Sequence, residues 1–148
     1  MIDIINVSKS YNKGTVKAVD NLSLKVNRGE IFGFLGPNGA GKTTTIKMMV
    51  GLLNPDDGQI FINGKDIRQN AIEAKRELGY VPDTPNLYER LTGLEYLSFM
   101  ADVYKVPAQE RKKRIDHFLE MFELTKAASD LIKTYSHGMK QKIALTGA

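Results

Sequence analysis

A run of small residues in the first third of the chain has the composition and spacing of a phosphate-binding loop. It fits the template G-x-x-x-x-G-K-[ST] without mismatch and consists of Gly36, Pro37, Asn38, Gly39, Ala40, Gly41, Lys42 and Thr43. Small residues allow backbone N–H groups to approach a phosphate closely. By the mechanics of this template, Lys42 reaches the β- and γ-phosphates, and Thr43 binds the Mg²⁺ that bridges them. Thr44 adds a hydroxyl for the α-phosphate, so the loop predicts nucleotide binding.

Two elements must hold this loop in place. The apolar run Ile31–Leu35 precedes it and predicts a buried strand. A helix is predicted to begin near Lys42 and to end near Leu53, because the following segment, residues 54–58, is rich in turn-forming residues. The phosphates would then lie at a helix N-terminus, where unpaired N–H groups favour anions.

The remaining pattern predicts strands first and helices later. Residues 2–7 and 22–26 predict an N-terminal sheet, and residues 59–62 predict a strand that enters a tight turn at Asn63–Gly64. Residues 78–81 predict a second core strand. The order predicts a strand-rich core followed by a helical arm.

The helical arm carries its own start signal. Thr92 and Glu95 have the spacing of a capping box, and apolar residues recur with helical period after them. The basic run at residues 111–114 is interpreted as a solvated helix face.

Composition excludes several classes of protein. The 148 residues suit one domain, and 42% hydrophobic residues suffice for a core. A net charge of +4, spread along the chain, argues weakly for nucleic acid. The chain has no cysteine and two separate histidines, so disulfides and a zinc site are not expected. Because no apolar run reaches a bilayer's thickness and the N-terminus lacks a basic leader, we expect a cytoplasmic chain.

Three further segments resemble the nucleotide-binding subunit of an ATP-binding cassette (ABC) transporter. Tyr11 stands upstream of the loop, residues 78–82 read Leu-Gly-Tyr-Val-Pro, and residues 135–141 read Tyr-Ser-His-Gly-Met-Lys-Gln. The last resembles the family signature Leu-Ser-Gly-Gly-Gln in a spelling similar to the exporter branch. The resemblance covers Tyr11 to the last residue. It implies an α/β fold of the P-loop NTPase class, with an ABC-type ATPase core, an N-terminal antiparallel β subdomain and a helical arm.

The resemblance assigns roles to these segments. The residue at Tyr11 stacks on adenine in the family, and Ser136 and Gly138 bind the γ-phosphate of ATP held by a second subunit. Asp83 stands where the family has a glutamine that touches Mg²⁺ and the membrane partner. Because Asp is shorter and anionic, it can face Mg²⁺ directly or through water but cannot donate as an amide does.

The family pattern continues beyond the signature, whereas this chain stops at Ala148. The resemblance therefore implies a truncated subunit in which the C-terminal part of the central sheet and the catalytic glutamate are absent. Residues of about 1–86 are assigned to the ATP-binding core, about 87–135 to the helical subdomain and 136–148 to the signature helix. We expect unpaired backbone groups and exposed apolar surface beside the loop strand. We also expect no catalytic base in the chain and little ATP hydrolysis by the chain alone.

We interpret the chain as part of an ATPase subunit that couples ATP binding and hydrolysis to export, with Mg²⁺ as cofactor. Its expected partners are a membrane permease and a second nucleotide-binding subunit in a head-to-tail dimer, on the inner face of the membrane. Nucleic acid is not an expected partner. Two alternatives remain: a nucleotide-binding module that does not hydrolyse ATP, and an ABC ATPase outside transport, acting on nucleic acid or ribosomes. Affinity for Mg·ATP together with phosphate release tests the first, and co-purification of a permease or of nucleic acid tests the second.

Overall fold

A four-stranded antiparallel sheet forms the framework of the first of two units in the chain. The computed structural model describes all residues 1–148, which divide into the units Met1–Gly79 and Tyr80–Ala148. The strands are β1 (Ile2–Tyr11), β2 (Val16–Val26), β3 (Asp57–Ile62) and β4 (Lys65–Asp66), and they lie in the order β2-β1-β3-β4. This confirms the predicted N-terminal antiparallel sheet.

The core of the first unit lies between this sheet and the helix that follows the phosphate loop. The helices of the unit are α1 (Lys42–Met49) and α2 (Ala71–Lys75). Met48 of α1 is fully buried in one apolar cluster with Ile4, Val7 and Ile60. Burial of each such side chain contributes about 1.5–3 kcal/mol. The same cluster therefore supports both the sheet and the helix that starts at the loop.

Helix α1 ends earlier than the sequence predicts. Instead of reaching Leu53, it stops at Met49, and Gly51 follows with φ of +67°. The N–H of Leu52 donates to the carbonyl of Lys47 across 2.9 Å. This is the pattern in which a left-handed glycine closes a helix and satisfies its last carbonyls.

Two segments that predict core strands form none. Residues 31–35 have no regular secondary structure and take part in no backbone hydrogen bond, and Ile31 and Leu35 are almost fully exposed. Apolar composition alone does not make a strand, because its backbone groups need a neighbouring strand. The prediction that this segment is a buried strand is therefore wrong. Its unpaired backbone groups and exposed apolar side chains agree with the exposed apolar surface expected beside the loop. Residues 78–81 also have no regular secondary structure. The N–H of Leu78 donates instead to the carbonyl of Lys75 and closes a turn.

The second unit is helical. It contains α3 (Gly93–Val103), α4 (Ala108–Met121) and α5 (His137–Gly147), packed around a cluster that includes Leu97, Leu119, Ile132 and Ile143. The predicted capping box at the start of α3 is confirmed, because the side chains of Thr92 and Glu95 each accept from the other's backbone N–H. The longest helix has 14 residues, and none has the length and apolar character needed to cross a bilayer.

Candidate functional site

The phosphate loop leads directly into α1. Gly39 and Gly41 both have φ of +83°, a conformation that residues other than glycine adopt only with strain. Between them, the N–H of Ala40 donates to the carbonyl of Pro37 across 3.3 Å and closes a turn. Gly39 and Gly41 therefore stand where the backbone path requires glycine.

The start of α1 presents unpaired N–H groups. The first helical hydrogen bond is donated by the N–H of Thr45 to the carbonyl of Gly41 across 2.8 Å, and Gly41 offers no side-chain cap. The N–H groups of residues 42–44 consequently have no partner within the helix. Together with the helix dipole, such groups favour an anion at this position.

The side chain of Lys42 lies over its own loop. Its ammonium donates to the carbonyl of Gly36 across 2.5 Å and to that of Pro37 across 2.7 Å. These partners are neutral, and an ammonium bonds more strongly to an anionic oxygen. The cation is thus held beside the helix N-terminus, where an incoming phosphate would meet it.

The threonines that follow Lys42 differ in exposure. Thr43 is exposed and Thr44 is half-buried, whereas Thr45 is fully buried and its hydroxyl donates to the carbonyl of Gly41 across 3.0 Å. Thr45 therefore stabilises the first turn, and the hydroxyl of Thr43 is accessible to a ligand.

Tyr11 ends β1 in the same unit as the loop. The residue is 41% exposed, and it pairs across the hairpin with Val16 at the start of β2. Farther along β2, the carbonyl oxygen of Ala18 lies 2.2 Å from the position that a Cβ on Gly41 would occupy. The hairpin that carries Tyr11 therefore touches the phosphate loop through β2.

The second unit contains the remaining predicted site residues. Ser136 is the N-cap of α5, and its hydroxyl accepts from the N–H of Met139 across 3.3 Å. Gly138 is exposed, and a Cβ added to it would meet open space. The preceding Tyr135 donates its hydroxyl to the carbonyl of Ala127 across 2.6 Å, and burial raises its pKa. This anchored tyrosine fixes the start of α5.

Asp83 and Gly138 line one cavity of about 410 Å³ in the second unit. The side-chain amide of Gln141 donates to the backbone carbonyl of Asp83 across 3.3 Å, while Asp83 itself is exposed. Sequence reasoning missed this contact of Gln141. Its only signal is the spacing of one helical turn between Gly138 and Gln141, which places both on one face of α5.

The chain holds no cluster of three or more His, Asp or Glu side chains suited to a metal ion. A Mg²⁺ ion that binds together with nucleotide phosphates keeps several waters and takes few protein ligands. The exposed hydroxyl of Thr43, at the uncapped start of α1, is a suitable ligand of this kind. Asp83 offers an exposed carboxylate in the second unit.

Known proteins with similar sequences are ATP-binding components of transport and resistance systems. The linearmycin resistance ATP-binding protein LnrL of Bacillus subtilis is 42% identical over 148 residues, which is all of this chain and 47% of that protein. The bacitracin transport ATP-binding protein BcrA of Bacillus licheniformis is 38% identical over the same length and is also covered to 47%. The chain thus spans about half the length of these curated relatives.

Solved structures agree in fold. The structure of an ATP-binding subunit of an ABC transporter matches all of this chain and 61% of its own, with a TM-score of 0.93 and 34% identity. A dimeric ATP-binding cassette in a post-hydrolysis state, bound to ADP and Pi, matches 99% of this chain and 68% of its own with a TM-score of 0.85 and 28% identity. The sequence model of the ABC transporter family matches residues 19–148. The chain belongs to the ABC transporter family and has the fold of its P-loop ATPase domain.

Proposed function

We propose that this chain is the nucleotide-binding part of an ABC transporter subunit that couples ATP to export through a membrane permease. The observation that carries the proposal is the start of α1, where an uncapped helix N-terminus and the Lys42 ammonium converge on one loop. An ATP phosphate chain satisfies both groups at once, since it is anionic and rich in acceptor oxygens.

Each loop residue then has a defined task. The backbone of residues 36–41 surrounds the phosphates, and Lys42 exchanges its two carbonyl partners for β- and γ-phosphate oxygens. The hydroxyl of Thr43 is a ligand for Mg²⁺, and that of Thr44 bonds the α-phosphate. When bound, Mg²⁺ neutralises charge on the phosphates. Asp83, in the second unit, is assigned as a Mg²⁺ contact through its carboxylate.

Tyr11 is assigned to the base. The residue is 41% exposed at the end of β1, in the same unit as the loop. An aromatic face stacks on any flat base, which contributes about 1–3 kcal/mol per base in comparable sites.

Ser136 and Gly138 are assigned to the nucleotide of a second subunit. Gly138 has no internal reason to be glycine, because a Cβ there would meet open space and its φ lies outside the left-handed region. Glycine at a helical position costs about 0.5–1 kcal/mol relative to alanine. A glycine is retained there at this cost because it lets a ligand approach the backbone closely. In a head-to-tail dimer, that ligand is the nucleotide held by the second subunit.

The relatives support the transport assignment. LnrL and BcrA carry names of a resistance and a transport system, and the solved cassette with ADP and Pi is dimeric. We therefore propose a permease and a second nucleotide-binding subunit as partners, with the chain on the inner face of the membrane. No residue here is assigned as the base that activates water, so we propose slow hydrolysis by this chain alone.

Calorimetric titration of the chain with Mg·ATP, run beside a phosphate-release assay, tests the proposal. Saturable binding with little phosphate release is expected. Absence of binding would refute the nucleotide site, and rapid phosphate release would refute the proposed lack of a catalytic base.

A further inference from the structure

Strand β2 contains an extra residue at Ala18. Lys9 of β1 pairs with Val19, and the next residue, Ser10, pairs with Lys17. One step along β1 thus corresponds to two steps along β2, which leaves Ala18 unpaired as a β-bulge. Bulges bend a strand and change the direction of its neighbours, and they are frequent beside functional sites.

The bulged residue contacts the phosphate loop. A Cβ placed on Gly41 would lie 2.2 Å from the carbonyl oxygen of Ala18 and 3.2 Å from Cγ2 of Val19. Gly39 has the same φ of +83°, yet a Cβ there would meet nothing within 4 Å. The positive φ therefore accounts for glycine at both positions, whereas only Gly41 also lies against β2.

The same strand holds the residue opposite Tyr11. Val16, the register partner of Tyr11, lies two residues before Ala18, and both Val16 and Tyr11 are exposed at the hairpin end. At about 3.3 Å per residue, Val16 is roughly 7 Å along the strand from the bulge. The contact between Ala18 and Gly41 thus lies only two residues along β2 from the residue that pairs with Tyr11.

We propose that Ala18 is a positioning residue whose backbone, lodged against Gly41, holds Tyr11 in register with the phosphate loop. Recognition of the base and recognition of the triphosphate are then coupled through β2. The inference rests on the proposed function, in which the loop binds the phosphates and Tyr11 stacks on the base. If the inference is correct, the strength of base stacking on Tyr11 depends on the contact between Ala18 and Gly41.

The matched glycines make a controlled experiment. Affinities for Mg·ATP and for inorganic tripolyphosphate, which lacks a base, are measured in the wild type, Gly39→Ala and Gly41→Ala. In the wild type we expect ATP to bind at least about fivefold more tightly than tripolyphosphate, because of base stacking. Gly39→Ala should weaken both ligands alike and keep this ratio. Gly41→Ala should bring the ratio to within about twofold of unity, since its Cβ displaces β2.

A double-mutant cycle separates positioning from general damage to the fold. Tyr11→Ala should weaken ATP binding in the wild type and in Gly39→Ala, and should have no effect in Gly41→Ala, because coupled residues are not additive. Equal ATP-to-tripolyphosphate ratios in the two glycine variants would overturn the inference and leave the proposed function intact. Failure of the wild type to bind either ligand would overturn the proposed function and the inference with it.

A measurement on the wild type needs no variant that could fail to fold. Tripolyphosphate has no base that could stack on Tyr11. A shift of the Tyr11 ring resonances when tripolyphosphate is added would therefore show that phosphate binding at the loop changes the environment of Tyr11 through β2. We expect the NMR signals of Ala18, Val16 and Tyr11 to shift together with those of the loop. Loop shifts without any shift at Tyr11 would contradict the inference.

Discussion

The ammonium of Lys42 donates to the carbonyl of Pro37 across 2.7 Å, so the cation of the loop is held by the loop itself. Its second partner, the carbonyl of Gly36, belongs to the same loop. The charge therefore stands beside the uncapped start of α1, and binding of phosphate requires only an exchange of partners at one side chain.

Replacement of Lys42 by alanine should abolish most nucleotide affinity. Loss of a charge-assisted hydrogen bond costs about 1.5–3 kcal/mol, which corresponds to roughly 10- to 100-fold weaker binding of Mg·ATP. The matched control is Lys47→Ala, an exposed lysine on the same helix but near its opposite end. Calorimetry on both variants checks the prediction, and equal affinities in the two would contradict the assigned role of Lys42.

Replacement of Thr43 by valine should remove the dependence of ATP binding on Mg²⁺. The two side chains are similar in size, and the exposed hydroxyl of Thr43 is the assigned metal ligand. We expect the gain in affinity on adding Mg²⁺ to fall by about tenfold. Thr43→Ser keeps the hydroxyl and should behave like the wild type. A full Mg²⁺ effect in Thr43→Val would exclude this ligand.

Gly93→Ala should destabilise the second unit. A Cβ at Gly93 would lie 2.4 Å from the Tyr135 hydroxyl, which donates to the carbonyl of Ala127. Overpacking of this kind costs about 1–3 kcal/mol in the free energy of unfolding. Adding Tyr135→Phe removes the clashing hydroxyl, so the double variant should unfold no more easily than Gly93→Ala alone.

Gly138→Ala is the matched control for that glycine substitution. Its Cβ would enter open space at a helical position, so chemical denaturation should show no loss of stability and a gain of about 0.5–1 kcal/mol. Destabilisation equal to that of Gly93→Ala would show that Gly138 serves the fold rather than a ligand.

The stability of the second unit should depend on pH through Glu95. Its carboxylate accepts from the N–H and hydroxyl of Thr92, which lowers the pKa of Glu95 below the ordinary value of 4.5. A lowered folded pKa means that the contribution is complete well above pH 4.5 and is lost as the pH falls through the folded pKa. Glu95→Gln should remove this part of the pH dependence.

Thermal unfolding between neutral and acidic pH measures that dependence. Because the pKa values of Asp56 and Glu77 are also lowered by hydrogen bonds, the difference between wild type and Glu95→Gln is the relevant quantity. Parallel curves for the two proteins would contradict a stabilising role for the ionised capping box.

Features that local chemistry determines were predictable from the sequence. The hairpin at Asn63–Gly64 has φ of +48° and +79°, as this residue pair favours, and the capping box at Thr92 and Glu95 forms as its spacing indicates. The turn around Gly39 and Gly41 follows from the template in the same way. Each depends on residues within one turn of the chain.

Features that depend on distant partners were not predictable. Residues 31–35 are apolar enough for a strand, yet no strand of the sheet pairs with them. The bulge at Ala18 depends on cross-strand register, and the contact of Gln141 with Asp83 joins residues 58 positions apart. The sequence carries no local signal for the bulge, and for the Gln141 contact it carries only the one-turn spacing from Gly138 along α5, because each arises from packing.

The most direct test of the central claim, that the loop before α1 binds nucleotide phosphates, is a calorimetric titration of the wild type and Lys42→Ala with Mg·ATP. The wild type should bind one nucleotide saturably, and the variant should bind it roughly 10- to 100-fold more weakly. No binding by the wild type, or equal binding by both proteins, would contradict it.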